Sequence, residues 1–167
     1  MAPVIHALRQ RPEHFETEVC LTAQHRELLD QVVSAFDLPV HYDLDLMTHA
    51  QTLEAVSAAI LQQLPAILAL ARPDLVLVHG DTTTSFAAAL AAFYAQIPVG
   101  HVEAGLRTYQ RYAPFPEEAN RRLCDVLCTW HYAPTEGARA NLLAEHIDDR
   151  SILVTGNTAV DALLFAD

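Results

Sequence analysis

Hydrophobic positions along this chain follow two rhythms: short apolar runs that end in polar tips, and longer stretches with apolar residues three and four apart. The two meet between Leu75 and Arg122. Val76-Leu77-Val78-His79-Gly80-Asp81 and Pro98-Val99-Gly100-His101-Val102-Glu103 are apolar runs with matching tips, and Thr82 to Ala95 between them is alanine-rich, without internal glycine or proline. This order predicts strand, helix and strand, a βαβ unit with parallel strands. Strand residues two apart share a face, so His79 with Asp81, and His101 with Glu103, project as acid–imidazole pairs. Ligands of open α/β sheets sit beyond the carboxyl ends of the strands, where both tips fall.

The remaining pattern extends the alternation. Pro3 to Gln10 reads as a helix with proline near its first turn, where the missing N–H costs nothing. Glu18 to Thr22 reads as a short strand, Leu28, Leu29, Val32, Val33 and Phe36 as one face of a helix, and Pro39 to Tyr42 as another short strand. Thr52 to Leu70 predicts a long helix that Pro65 kinks or divides. Gly105 to Pro116 reads as a mobile loop over the sheet edge. Glu117 and Glu118 then open a helix, where acids suit the positive end of its dipole. Val126 to Ala133 predicts a strand, Pro134 to Ala144 a helix, Ser151 to Thr155 the last strand, and Gly156 onward a final helix. The repeating β-α order argues for an α/β fold with a doubly wound parallel sheet. No repeat or linker divides residues 1–167, so one domain is expected.

Composition narrows function more than fold. Hydrophobic residues make up 51% and charged ones 19%, the balance of a globular protein. A formal charge of -11 argues against general attraction to nucleic acid or an anionic membrane, so an anionic ligand needs locally placed arginines and helix N-termini. The three cysteines, Cys20, Cys124 and Cys128, stand at no metal spacing and read as free thiols, which fits a reducing cytoplasm. No run reaches the length of a membrane span, and no signal peptide pattern follows Met1. No membrane insertion is expected.

Each polar residue has a plain role when taken singly. Asp81 before three threonines suits a helix N-cap. The histidines suit partly buried rings, and Glu117 and Glu118 suit first-turn acids. The constellation says more. Two carboxylates at one sheet end, with Glu117 close by in sequence, can raise one another's pKa and so provide a proton acceptor and a proton donor at neutral pH. Arg107 can neutralise a ligand phosphate in the same crevice. A divalent metal held by two imidazoles and two carboxylates is the second chemical reading, ranked lower because no spacing demands it.

At these same residues the chain closely resembles the bacterial non-hydrolysing UDP-N-acetylglucosamine 2-epimerases. The matching blocks are Thr22-Ala23-Gln24-His25-Arg26, His79-Gly80-Asp81-Thr82-Thr83-Thr84, Pro98 to Thr108, Pro116-Glu117-Glu118-Ala119-Asn120-Arg121 and Thr155-Gly156-Asn157-Thr158. The resemblance implies one half of a glycosyltransferase-B-type fold of two Rossmann-like domains, with UDP-GlcNAc and UDP-ManNAc as substrates. It implies UDP elimination and re-addition through a 2-acetamidoglucal, with Asp81, Glu103 and Glu117 as the proton-handling acids. His79, His101, Arg107 and Glu118 are the expected substrate contacts, and Gln24 and His25 the expected contacts of a second, regulatory substrate molecule. No cofactor and no metal are expected, and the full-length protein is expected to be a cytoplasmic homodimer.

The chain also departs from the pattern. The family begins with a strand and a Gly-Thr-Arg-Pro-Glu loop, which precede the Met-Ala-Pro start here, and it continues into a C-terminal domain with an essential histidine. The expectation is therefore an N-terminal domain shortened at both ends and inactive by itself, with one inner strand missing between Glu18–Thr22 and Leu75–Asp81. A hydrolysing epimerase, a non-catalytic UDP-sugar-binding module and a B-type glycosyltransferase domain stay open as alternatives.

Overall fold

The computed structural model describes residues 1–22, 26–46 and 52–165. The chain falls into two compact units, residues 53–157 and residues 1–52 with 158–167. All described strands pair in parallel, in one sheet per unit, with helices between successive strands. This is the expected α/β class.

In the smaller unit, β1 (Cys20–Leu21) pairs with β2 (Tyr42–Asp43), and three helices accompany them: α1 (Ala2–Arg9), α2 (Arg26–Ala35) and α7 (Thr158–Phe165). Ile5, Val19 and Leu21 form its buried cluster, with Leu29, Val33 and Leu38 packed against it. Two histidines fasten the backbone. The His6 ring bonds the Phe36 carbonyl at 2.7 Å, and the Val19 N–H donates to His41 Nδ1 at 3.0 Å.

The larger unit holds the sheet β3 (Val76–His79), β4 (Val99–Val102), β5 (Trp130–Ala133) and β6 (Ile152–Val154), paired in that order. The crossovers are α4 (Thr83–Tyr94), α5 (Glu117–Leu127) and α6 (Glu136–Ala144), and α3 (Leu53–Ala71) precedes the first strand. Central β4 is buried along its whole length, as strands covered on both faces are. Ala104, Ala133, Ala138, Leu142 and Ile152 close the core between sheet and α6.

Three expectations change here. Pro65 does not divide α3, which runs unbroken for 19 residues. Pro65 lies on the exposed face, while Val56, Ile60, Leu64 and Leu68 keep one buried stripe toward α4. That same helix is long and apolar enough to cross a membrane by length and composition, contrary to the reading that no run reaches that length. Glu54 is its single charged residue, and two glutamines mid-helix masked the run. Finally, Val126 and Leu127 end α5 instead of starting β5, which begins at Trp130.

Candidate active site

Strands β3 and β4 pair in register, His79 opposite Val102, so Gly80-Asp81 and Glu103 leave the sheet side by side. Gly80 has φ +69°, and a Cβ there would lie 3.2 Å from the Glu103 carboxylate, so glycine makes room for the acid. Glu103 itself holds φ 71°, uncommon for a residue with a side chain. Its N–H and that of Ala104 both donate to the Tyr132 carbonyl, at 3.0 and 3.1 Å, which fixes this turn on β5. Gly105 follows with φ +85°, and its carbonyl accepts from the Asn141 side chain at 2.9 Å.

Burial, and then the nearby Asp81 charge, push the Glu103 carboxyl above the usual carboxylate range, with His101 and Arg121 partly offsetting them. His79 Nε2 stands 3.8 Å from the Glu103 carboxylate. Burial pushes the His79 imidazole down to about 4, so this ring is neutral at pH 7 and is a polar contact instead of a cation.

Asp81 is not the N-cap of α4. Thr82 takes that place, its hydroxyl accepting from the Ser85 N–H at 3.1 Å, while the Ser85 hydroxyl donates to the His79 carbonyl. The Asp81 carboxylate instead meets Arg121 Nη2 at 2.5 Å. Arg121 Nε donates to the Glu117 carbonyl at 3.3 Å, so one guanidinium ties the head of α5 to the β3 tip. Asn120 adds a bond from its amide to the Asp81 carbonyl at 3.0 Å. Glu117, at the first position of α5, is half-buried.

The other predicted contacts face inward. Glu118 is 1% exposed and accepts from the N–H groups of Thr108 and Tyr109, both at 3.0 Å. Burial opposes its ionisation, but the two backbone donors outweigh it and hold its carboxyl below the usual range. These bonds fasten the start of the loop that the sequence suggests is mobile. His101 is fully buried between the Gly80 carbonyl and Asp125. The Arg107 side chain has no exposure, because Asp125 accepts from it at 2.7 Å and Glu145 at 2.8 Å. The polar atoms of Arg107, Glu118 and His101, which the sequence offers as substrate contacts, are all engaged by protein partners in this structure. Gln24 and His25 lie outside the described residues.

Asn120, Arg121 and Asp125 are the site residues that sequence reasoning missed. The available signal was the spacing of Glu118, Arg121 and Asp125, which shares one helical face. Among the described residues no group of side chains could hold a metal ion. Two hollows among the described residues, one beside Pro3 and Ala7 and one beside Phe93, are lined by none of Asp81, Glu103 and Glu117. The larger, about 520 Å³, opens beside Phe93, Ile97 and Leu127, at the end of the sheet where β4 and β5 begin.

A family profile described as UDP-N-acetylglucosamine 2-epimerase matches residues 6–167. The UDP-N-acetylglucosamine 2-epimerase of Salmonella typhimurium is 58% identical over 165 residues, which are 99% of this chain and 44% of that protein. The crystal structure of the Neisseria meningitidis UDP-GlcNAc 2-epimerase bound to UDP-GlcNAc matches with a TM-score of 0.95 and 55% identity, over 99% of this chain and 44% of that one. The Methanocaldococcus jannaschii UDP-GlcNAc 2-epimerase in complex with UDP-GlcNAc and UDP matches with a TM-score of 0.90 and 38% identity, over 98% and 44%. The chain spans a little under half the length of these relatives. With the profile covering nearly every residue, and the βαβ tips and the head of α5 within that match, the chain belongs to the UDP-N-acetylglucosamine 2-epimerase family.

Proposed function

We propose that the whole protein interconverts UDP-N-acetylglucosamine and UDP-N-acetylmannosamine, and that this chain supplies its proton-handling acids as the N-terminal, Rossmann-like half of a two-domain enzyme. The observation that carries the reading is the junction of Asp81, Glu103 and the head of α5 at one end of the β3–β4 pair, with Arg121 joining Asp81 to α5. Removal of the proton at C2 of the sugar, as the C1–O bond to UDP breaks, leaves a planar alkene. UDP then re-adds at C1 while a proton reaches the opposite face of C2. Such chemistry needs two acids in different protonation states. Glu103, whose carboxyl keeps its proton to higher pH, suits the donor, and Asp81 or Glu117 suits the acceptor.

In the whole enzyme, Asp81→Asn, Glu103→Gln and Glu117→Gln are each expected to lower turnover roughly 10²–10⁴-fold. Solvent deuterium incorporated at C2 should fall in step. Near-normal turnover in all three variants would return these residues to packing and surface roles. The finer parts of the reading are a cytoplasmic homodimer, which free thiols at Cys20, Cys124 and Cys128 suit, and a regulatory substrate contact at Gln24 and His25.

A further inference from the structure

Asp125 lies near the end of α5, 1% exposed, and no part of the reaction proposed above uses it. Its Oδ1 stands 2.6 Å from His101 Nδ1, and its Oδ2 accepts from Arg107 Nη2 at 2.7 Å. The other nitrogen of His101, Nε2, stands 2.7 Å from the Gly80 carbonyl oxygen. A carbonyl oxygen only accepts, and a carboxylate bound to a guanidinium only accepts. Both ring nitrogens must therefore donate. A ring with a single proton would set a lone pair against an oxygen at one of these contacts, with His101 and Asp125 both buried from solvent.

We propose that Asp125 is a positioning residue for the Asp81 carboxylate: it keeps both protons on the His101 ring, and that ring clamps the Gly80 peptide from which Asp81 projects. The inference rests on the reading of Asp81 as a reacting acid. The clamp is two-sided. The Gly80 N–H donates to the Val102 carbonyl at 2.9 Å, and the Gly80 carbonyl accepts from His101, so strand β4 holds both ends of that residue. The charges that surround the clamp alternate in sign. His101 is followed by Asp125, Arg107 and Glu145, and Arg122 completes the series at the surface, 3.4 Å from Glu145. On its other side Asp125 is fixed through its backbone, since the His131 ring bonds its carbonyl at 2.9 Å. Burial opposes the charge on Asp125, but His101 and Arg107 outweigh it and hold its carboxyl below the usual range.

The test separates this clamp from ordinary packing. Full-length protein carrying ¹⁵N-histidine is examined by NMR at neutral pH, with the His101 signals assigned by their loss in His101→Gln. The expected result is two ring N–H signals for His101 in the wild type and one in Asp125→Asn, which keeps the shape and removes the charge. In the epimerase assay, Asp125→Ala should lower kcat on the order of 10²-fold, the cost of a misplaced reacting group, with little change in KM. Asp125→Glu should regain the second ring signal and part of the turnover. A single ring proton in the wild type overturns the proposal, even if every variant misfolds. Two signals retained in Asp125→Asn, or an unchanged kcat in Asp125→Ala, overturn it as well. Full turnover in Asp81→Asn would instead sink the acid–base reading, and the ring signals would still decide what Asp125 does to His101.

Discussion

Helices α4 and α5 both pack on β4 and on each other, yet they are held by opposite means. The buried face of α4 is Ala87, Ala89, Ala91 and Ala92 with two small hydroxyl residues, Thr83 and Ser85. The buried face of α5 is Glu118, Asn120, Cys124 and Asp125, and its exposed face carries Leu123 and Val126, which are 46% and 76% exposed. Dispersion and the hydrophobic effect have no direction, so alanines on α4 set a distance and little else. Hydrogen bonds to charged groups are stronger and directional, so α5 sets orientations: those of the Gly80 turn, Asp81 and the Thr108–Tyr109 loop. A helix that buries its charges and exposes its valine is placing other groups, not covering a core.

The largest break in this contrast comes from removing one partner of the buried network. Arg107→Leu takes the guanidinium away from the buried Asp125 carboxylate, and unfolding by urea should show a loss of roughly 3–5 kcal/mol. The same network titrates, whereas the alanines of α4 do not. Asp125 and Glu118 both have folded pKa values depressed below their ordinary 3.8 and 4.5, so their contribution is fully present above about 4.5. It is lost as pH falls below these values and through the folded ones. His79 adds loss of the same sign between about 6.5 and about 4, because its ring is neutral when folded and takes up a proton when unfolded. Glu103 opposes this, since its folded value is raised and its contribution fades as pH rises. His79→Asn should therefore flatten the upper window of a urea midpoint against pH curve and leave the lower one.

A smaller effect is expected on α4. Ala87→Val puts two methyl groups where Ala87 has no exposure and should cost about 1–3 kcal/mol by overpacking. The smallest is Val126→Gln on α5, expected within about 0.5 kcal/mol of wild type by the same measurement. A loss of several kcal/mol there would mean that the exposed apolar face of α5 is covered in the working protein, and the contrast would need redrawing.

The strands and their order were legible because β3 and β4 repeat the same device, an apolar run followed by His-x-acid, which only a strand end arranges in that way. The meeting of Asp81 and Glu103 at one end of the sheet was legible for the same reason. Helix α5 misled because its pattern is inverted: Val126 and Leu127 look like the start of a strand when buried apolar residues are assumed. The place of Arg107 was not legible at all. Its sequence neighbours suggest a loop cation, and nothing in spacing says that a carboxylate 18 residues on and another 38 residues on will claim it. Pairings across such distances depend on how the chain folds back, which local periodicity does not record. Asp81 was read as a cap because Asp-Thr-Thr satisfies the rule at either residue, and Thr82 was the one that capped.

The left-handed backbone at Glu103 sets two selective pressures against each other. Glycine would adopt φ 71° without the steric cost, of order 1 kcal/mol, that a side chain incurs there. A collection of variants sorted only for resistance to heat should thus gather glycine at position 103, and one sorted for turnover should return glutamate. Where the two sortings disagree, the position records a choice that favours chemistry over durability.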